Sequence, residues 1–242
     1  MGRSDKDILA HPSALALCFG PQKGDLVMVL RMLRLARHAG WAALGVASVA
    51  ASACSSNSTP VAAAFVAATV GVGPESNSTV CNLGTVQPWL DVGTAVGGNG
   101  TPDTQNDGSS ESGGKVSVTC TVSTSGNGFD IDLVVSQGGL NGGSVTITSP
   151  PGMGAVTQAG GTGITGVFES ETQGKYRETD CTISFTYMGE PVNQTPIAAG
   201  RIWGHLSCPT AQVSGQTVQI DGGSQDVQCD AEADFLFEQC GL

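Results

Sequence analysis

The feature that most constrains the fold is a repeated alternation of apolar and polar residues. Val116, Val118, Cys120 and Val122 occupy every second position, with serine or threonine between them. The same period of two recurs in the runs 129–135, 145–147, 181–187, 202–208, 218–220 and 231–237. Because a strand turns successive side chains to opposite faces, each run predicts a strand with one buried face. Glycine-rich turns separate the runs, so we predict one all-β domain, an antiparallel, jelly-roll-like β-sandwich of about 8–10 strands.

Six cysteines accompany these runs: Cys81, Cys120, Cys181, Cys208, Cys229 and Cys240. In an exported protein an even number of this kind predicts disulfides, here three, and the sequence leaves the pairing open. One pair is excluded, because an extended segment 231–237 would hold Cys229 and Cys240 about 30 Å apart. A zinc site is disfavoured, since the chain has no C-x-x-C pair and His205 is the one histidine after residue 54.

The charge of the chain after residue 53 is strongly negative. Four basic side chains stand against 18 acidic ones, which gives a net charge of −14. Nucleic acids and anionic lipid headgroups need lysine and arginine for binding, so neither is an expected partner.

Residues 28–53 have the three parts of a secretory signal in the required order. Arg31, Arg34 and Arg37 form a basic start, and the apolar stretch 40–50 is too short to span a membrane. The next residues, Ala51-Ser52-Ala53-Cys54, resemble the lipobox of bacterial lipoproteins. That resemblance implies cleavage before Cys54, a lipid on its sulfur and a membrane anchor. Ala51 departs from the leucine usual in that family, and the A-x-A pattern also fits an ordinary signal peptidase that would release the protein.

The predicted organisation follows from this signal. Residues 1–27 form a leader upstream of a true start at Met28 or Met32, or else a long cytoplasmic extension. Residues 54–78 form a tether, whose apolar part is either a first strand or a loose alanine-rich segment, and 79–242 form the sandwich. Ser55 and Ser56 resemble the signal for onward export, which implies the outer membrane or cell surface.

The phrases G-R-I-W-G and F-L-F-E-Q-C near the C-terminus resemble small, β-rich, cysteine-bearing lipoproteins of myxobacteria. That resemblance implies no particular activity.

A candidate ligand face comprises Arg201, Trp203 and His205. If Ile202 and Leu206 point inward, these three side chains share the opposite face, where the indole could stack on a sugar ring. The alternative is a tryptophan packed under Arg201 through a cation–π contact, or buried in a second layer.

Calcium is the one cofactor for which the sequence offers ligands, since carboxylate and amide oxygens usually bind it. Two loops offer such oxygens, although neither has the spacing of a known calcium loop. Their residues are Asp103, Asn106 and Asp107 in the first loop, and Asp221, Asp226 and Asp230 in the second.

Catalytic residues are not predicted. His205 would be the only base for a serine nucleophile, and the chain has no G-x-S-x-G. The spaced carboxylates Asp130 and Asp132, or Glu169 and Glu171, are typical of a solvated strand face.

We therefore predict a membrane-anchored surface lipoprotein with a structural or interaction role, and with a glycan or a protein as its partner. The alternatives are a carbohydrate-binding jelly-roll module, with or without calcium, and a hydrolase with an unrecognised site.

Overall fold

The computed structural model describes residues 60–77, 81, 89–98, 100–112, 114–139 and 142–241. The predicted leader, the signal helix and Cys54 lie outside these residues. Within the described part, none of the helical segments is long and apolar enough to cross a membrane.

The described residues form 15 strands joined by turns and loops. Eight of the strands have six residues or more, which agrees with the predicted number, and the other seven have two or three. The strands are β1 (Ala63–Gly71), β2 (Leu90–Val92), β3 (Gln105–Asn106), β4 (Ser110–Glu111), β5 (Gly114–Ser125), β6 (Gly128–Gln137), β7 (Gly143–Thr148), β8 (Val156–Thr157), β9 (Gly160–Ser170), β10 (Gly174–Ser184), β11 (Thr186–Tyr187), β12 (Glu190–Pro191), β13 (Ile197–Ala198), β14 (Arg201–Ile220) and β15 (Gly223–Glu238).

The long strands are connected as an antiparallel meander. Their order is β1-β15-β14-β10-β9-β7-β6-β5, so that from β5 to β15 each long strand pairs with the next long strand in the chain. A jelly roll instead brings distant strands together through Greek-key connections. The predicted all-β antiparallel fold is confirmed, while the strand order is simpler than a jelly roll because tight turns join β5 to β6 and β14 to β15.

The two ends of the meander meet. The segment that carries β3 and β4 joins β1 to β5, because β3 pairs with β1 and β4 pairs with β5. After β15, Gly241 forms a parallel bridge with Thr121 of β5, in which the N–H of Val122 donates to the carbonyl of Gly241 at 3.1 Å. These contacts cover edges that would otherwise present unpaired backbone groups.

One continuous core fills the space inside the folded sheet. The alternating residues of β5 and β6 point into it as predicted, with Val116, Val122, Leu133 and Val135 all fully buried. Phe235 and Phe237 of β15 meet there at 6.2 Å between ring centroids. Trp89, just before β2, reaches Tyr176 of β10 edge-to-face at 5.4 Å. Because residues of every long strand share this core, the sheet is folded on itself as a sandwich.

Strand β1 corrects the predicted boundary of the sandwich. It lies within the predicted tether, yet it pairs with β15 over nine residues and also with β2. Ala64, Phe65 and Val66 are fully buried in succession, so both faces of this strand are covered. A strand covered on both faces reads as a continuous apolar run, and for this reason its alanine-rich sequence shows no alternation.

A small outer layer covers part of the second face of β14 and β15. The β11–β12 hairpin forms a separate two-stranded sheet in which Thr186 pairs with Pro191. Tyr187 from this hairpin joins Phe65, Trp203 and Leu236 in a second apolar cluster. The hydroxyl of Tyr187 accepts a hydrogen bond of 3.0 Å from the N–H of Val96, which ties the hairpin to the loop after β2.

The prediction of three disulfides is confirmed, and all six cysteines take part. Cys81 bonds to Cys229, Cys120 to Cys240, and Cys181 to Cys208. The excluded pair, Cys229 with Cys240, does not form. Cys181–Cys208 joins the neighbouring strands β10 and β14, whereas Cys120–Cys240 joins β5 to the chain after β15, where the ends of the meander meet.

Candidate functional site

The predicted ligand face on β14 exists, but it is not open to a sugar. Ile202 and Leu206 point into the core and are fully buried, which places Arg201, Trp203 and His205 on the opposite face as expected. Trp203 is only 1 % exposed, however, so its proposed role as a stacking platform is wrong. The cause is the outer layer, in which the ring of Tyr187 lies 5.6 Å from that of Trp203.

Arg201 is held by contacts on the same face of the sheet and with the loop before β13. Its guanidinium lies 5.8 Å from the centre of the Trp203 ring, which is the cation–π contact considered above as the alternative. Its Nε donates to Oε1 of Glu238 at 3.1 Å, and its Nη1 donates to the carbonyl of Thr195 at 2.9 Å. Both the charge and the donors of Arg201 therefore have partners within the protein.

His205 forms a hydrogen-bonded pair with a carboxylate of the neighbouring strand. Its Nδ1 lies 2.9 Å from Oδ1 of Asp234, directly across from it on β15. The hydrogen bond with Asp234 raises the pKa of His205 above its ordinary value, and burial acts in the opposite direction. The carboxylates of Glu232 and Asp230 raise that pKa further.

A serine also lies beside this pair. Ser184 of β10 is directly opposite His205, so Ser184, His205 and Asp234 form a row across three adjacent strands. The Oγ of Ser184 forms a hydrogen bond of 3.0 Å with Oγ1 of Thr186 rather than with the imidazole. The row has the residue types of a hydrolytic triad without the nucleophile–base contact on which that chemistry depends.

The spaced carboxylates hold local structure. Asp130 accepts hydrogen bonds from the N–H groups of Gly152 at 2.6 Å and Gly154 at 2.9 Å, and so fixes the loop after β7. The bond from Gly154 is the main cause of the lowered pKa of Asp130. Glu169 forms a surface salt bridge of 3.1 Å with Lys175 across the β9–β10 pair.

Three residues of the two candidate calcium loops can be placed in the structure. Asp107 uses Oδ1 to accept the N–H of Val118 at 2.9 Å, and Asp221 occupies the turn between β14 and β15 with a φ of 50°. Burial raises the pKa of Asp230, and neighbouring carboxylates raise it further.

Among the described residues, one group brings three potential metal-binding side chains within 4.8 Å of one another: Glu178, Cys181 and Cys208. The two sulfurs of this group are joined in a disulfide, so they are not thiolate ligands.

A cleft that the sequence did not predict opens beside this group, between β10 and β14. It has a volume of about 500 Å³. Its lining includes Arg177, Glu178, Thr179, Asp180, Thr210, Gln212, Val213, Gly215 and Asp226.

The cleft lies where the register of both strands shifts. Pairing in β10 is irregular between Glu178 and Cys181, and in β14 between Cys208 and Ala211. A bulge of this kind inserts unpaired residues and redirects their side chains.

No family model, curated protein or solved structure matches this chain.

Proposed function

We propose that this chain is an exported protein, held at a membrane surface by a lipid on Cys54, with a β-sandwich body that serves a non-catalytic structural or interaction role. The observation that carries the proposal is the set of three disulfides. Disulfides of this number persist in oxidising compartments outside the cytoplasm, where a lipoprotein signal would deliver the chain.

The disulfide pattern also supports Cys54 as the modified residue. The other six cysteines from residue 54 onward bond to one another, which leaves the sulfur of Cys54 without a partner among them. A lipid on that sulfur would anchor the chain, since acyl chains contribute about 0.8 kcal/mol for each buried CH₂ group. β1 begins at Ala63, so only a short tether separates Cys54 from the sandwich.

The contacts of the candidate catalytic groups favour a non-catalytic role. His205, Asp130 and Glu169 each bond to a neighbouring strand or loop, and Ser184 bonds to a threonine. The net charge of −14 after residue 53 suits a soluble body that stays apart from anionic headgroups and nucleic acid.

Metabolic labelling with radioactive palmitate tests the anchor. The full chain is expressed in a bacterium that processes lipoproteins, and the membrane fraction is separated. The wild-type protein is expected to carry label and to sediment with membranes, whereas Cys54→Ala should lose the label and appear in the soluble exported fraction. Cys18→Ala is the matched control, because it also removes a cysteine upstream of the sandwich, and it should behave as wild type. An unlabelled wild-type protein, or a Cys54→Ala protein that stays labelled, would refute the proposed attachment.

A further inference from the structure

The cleft between β10 and β14 contains polar side chains that have no partner among the described residues. In the described part of the chain, the side chains of Arg177, Asp180 and Asp226 form neither a salt bridge nor a hydrogen bond. The same is true of the side chains of Thr179 and Gln212. One guanidinium, one amide, one hydroxyl and two carboxylates therefore face the cleft with free donors and acceptors.

The framework of the cleft is fixed by other contacts. Glu178 accepts hydrogen bonds from both the N–H of Thr210 at 2.8 Å and its hydroxyl at 3.0 Å, which joins the two bulges. The disulfide Cys181–Cys208 links the same two strands at the base of the bulges. Because cross-strand bonds hold its walls, binding at the cleft orders the free side chains without rearranging the backbone.

The chemistry of the lining selects the class of ligand. Among the described lining residues, the three carboxylates of Glu178, Asp180 and Asp226 outnumber the single guanidinium of Arg177, which disfavours an anion. Val213 is the one large apolar residue among them and is only 4 % exposed, which disfavours an apolar ligand. A sugar hydroxyl both donates and accepts, and so matches a mixture of free carboxylates, amide and guanidinium.

We propose that this cleft is a binding site for a short neutral saccharide. Its volume of about 500 Å³ lies within the usual range of small-molecule sites. The carboxylates of Asp180 and Asp226 accept hydrogen bonds from ring hydroxyls, and Arg177 and Gln212 donate to hydroxyl or ring oxygens. The site is separate from the face of Trp203 and does not depend on the lipid anchor.

Titration calorimetry tests the proposal with the full exported chain in detergent. The probes are cellotriose, maltotriose, mannotriose and chitotriose, each to about 10 mM, and at least one is expected to bind with a dissociation constant of about 1 mM or tighter. Asp180→Asn with Asp226→Asn keeps the shape of the cleft and removes two charged acceptors. This pair should weaken binding about tenfold or more, because hydrogen bonds to charged groups are among the stronger ones.

A second groove of the protein supplies the matched control. Glu171 lines a groove of about 280 Å³ beside β7 and β9, and Glu171→Gln should leave saccharide affinity unchanged. Circular dichroism and thermal unfolding verify that every variant is folded. If the paired variant does not fold, Arg177→Ala tests the same site independently and should also lose affinity. Absence of binding by all four saccharides overturns the proposal. Equal affinity in the wild type, the paired variant and Arg177→Ala also overturns it, as does binding of spermidine in place of every saccharide.

Discussion

Replacing Cys120 and Cys240 together by alanine removes the covalent link between β5 and the chain that follows β15. Both sulfurs are buried, and the backbone bonds around them remain in place, including the one from the N–H of Gly241 to the carbonyl of Cys120 at 2.9 Å. Alanine introduces no polar group into the core. The expected loss of stability therefore comes mainly from the greater freedom of the unfolded chain.

The size of that loss follows from the length of the loop. A disulfide that closes a loop of 120 residues lowers the conformational entropy of the unfolded chain, which raises the free energy of unfolding by about 4.9 kcal/mol. With Cys81–Cys229 intact, a path of about 50 residues through that bridge already connects the two positions, which lowers the loss to about 4 kcal/mol. The corresponding value for Cys181–Cys208, with its separation of 27 residues, is about 3.5 kcal/mol.

Urea and thermal unfolding under oxidising conditions measure this loss. For a body of this size, about 4 kcal/mol lowers the unfolding temperature by about 8–16 °C. The control is the same comparison after complete reduction and blocking of the thiols, where wild type and variant should unfold together. A loss below about 1 kcal/mol in the oxidised proteins, or an equal difference after reduction, would show that closing the meander does not depend on this bridge.

Three further predictions concern side chains with defined partners. Because Asp234 raises the pKa of His205, the pair stabilises the fold fully at pH values below the ordinary histidine pKa, and this stabilisation is lost as the pH rises through the pKa of the folded protein. The difference in unfolding free energy between wild type and Asp234→Asn should therefore shrink from pH 5 to pH 9. A constant difference would contradict the coupling. Trp203→Ala should cost about 3–5 kcal/mol in chemical denaturation, as for a buried aromatic residue, and a loss typical of a surface position would contradict its burial. Asp130→Ala should speed amide hydrogen exchange in the loop after β7, whereas Asp132→Ala on the same strand should not; equal exchange in the two variants would contradict the anchoring role.

The regular strands could be predicted from sequence because their signal is local. In β5 and β6, each buried residue is two positions from the next, and the pattern alone identifies the inward face. The sequence did not decide whether β1 is a strand or a loose segment, because both of its faces are covered. That condition depends on strands distant in the chain. The burial of Trp203 has the same origin, since alternation identifies its face but not the hairpin that covers it.

The sequence contains a sign of the cleft, but this sign can be interpreted only once the pairing of the strands is known. Tyr176 and Cys181 are both buried although they are an odd number of residues apart, and so are Cys208 and Ala211. Each break in parity indicates a bulge. A cleft results because the two bulges lie side by side on paired strands, and that register is a property of the tertiary structure.

The pairing of the cysteines bears on how the protein survives hydrolysis by proteases. The disulfide Cys81–Cys229 bridges every peptide bond between those two residues. The disulfide Cys120–Cys240 bridges the peptide bonds between Cys229 and Cys240 as well. A single cut anywhere between Cys81 and Cys240 therefore leaves both pieces covalently attached. A nicked molecule would migrate as one chain on a gel until a reducing agent separated its fragments.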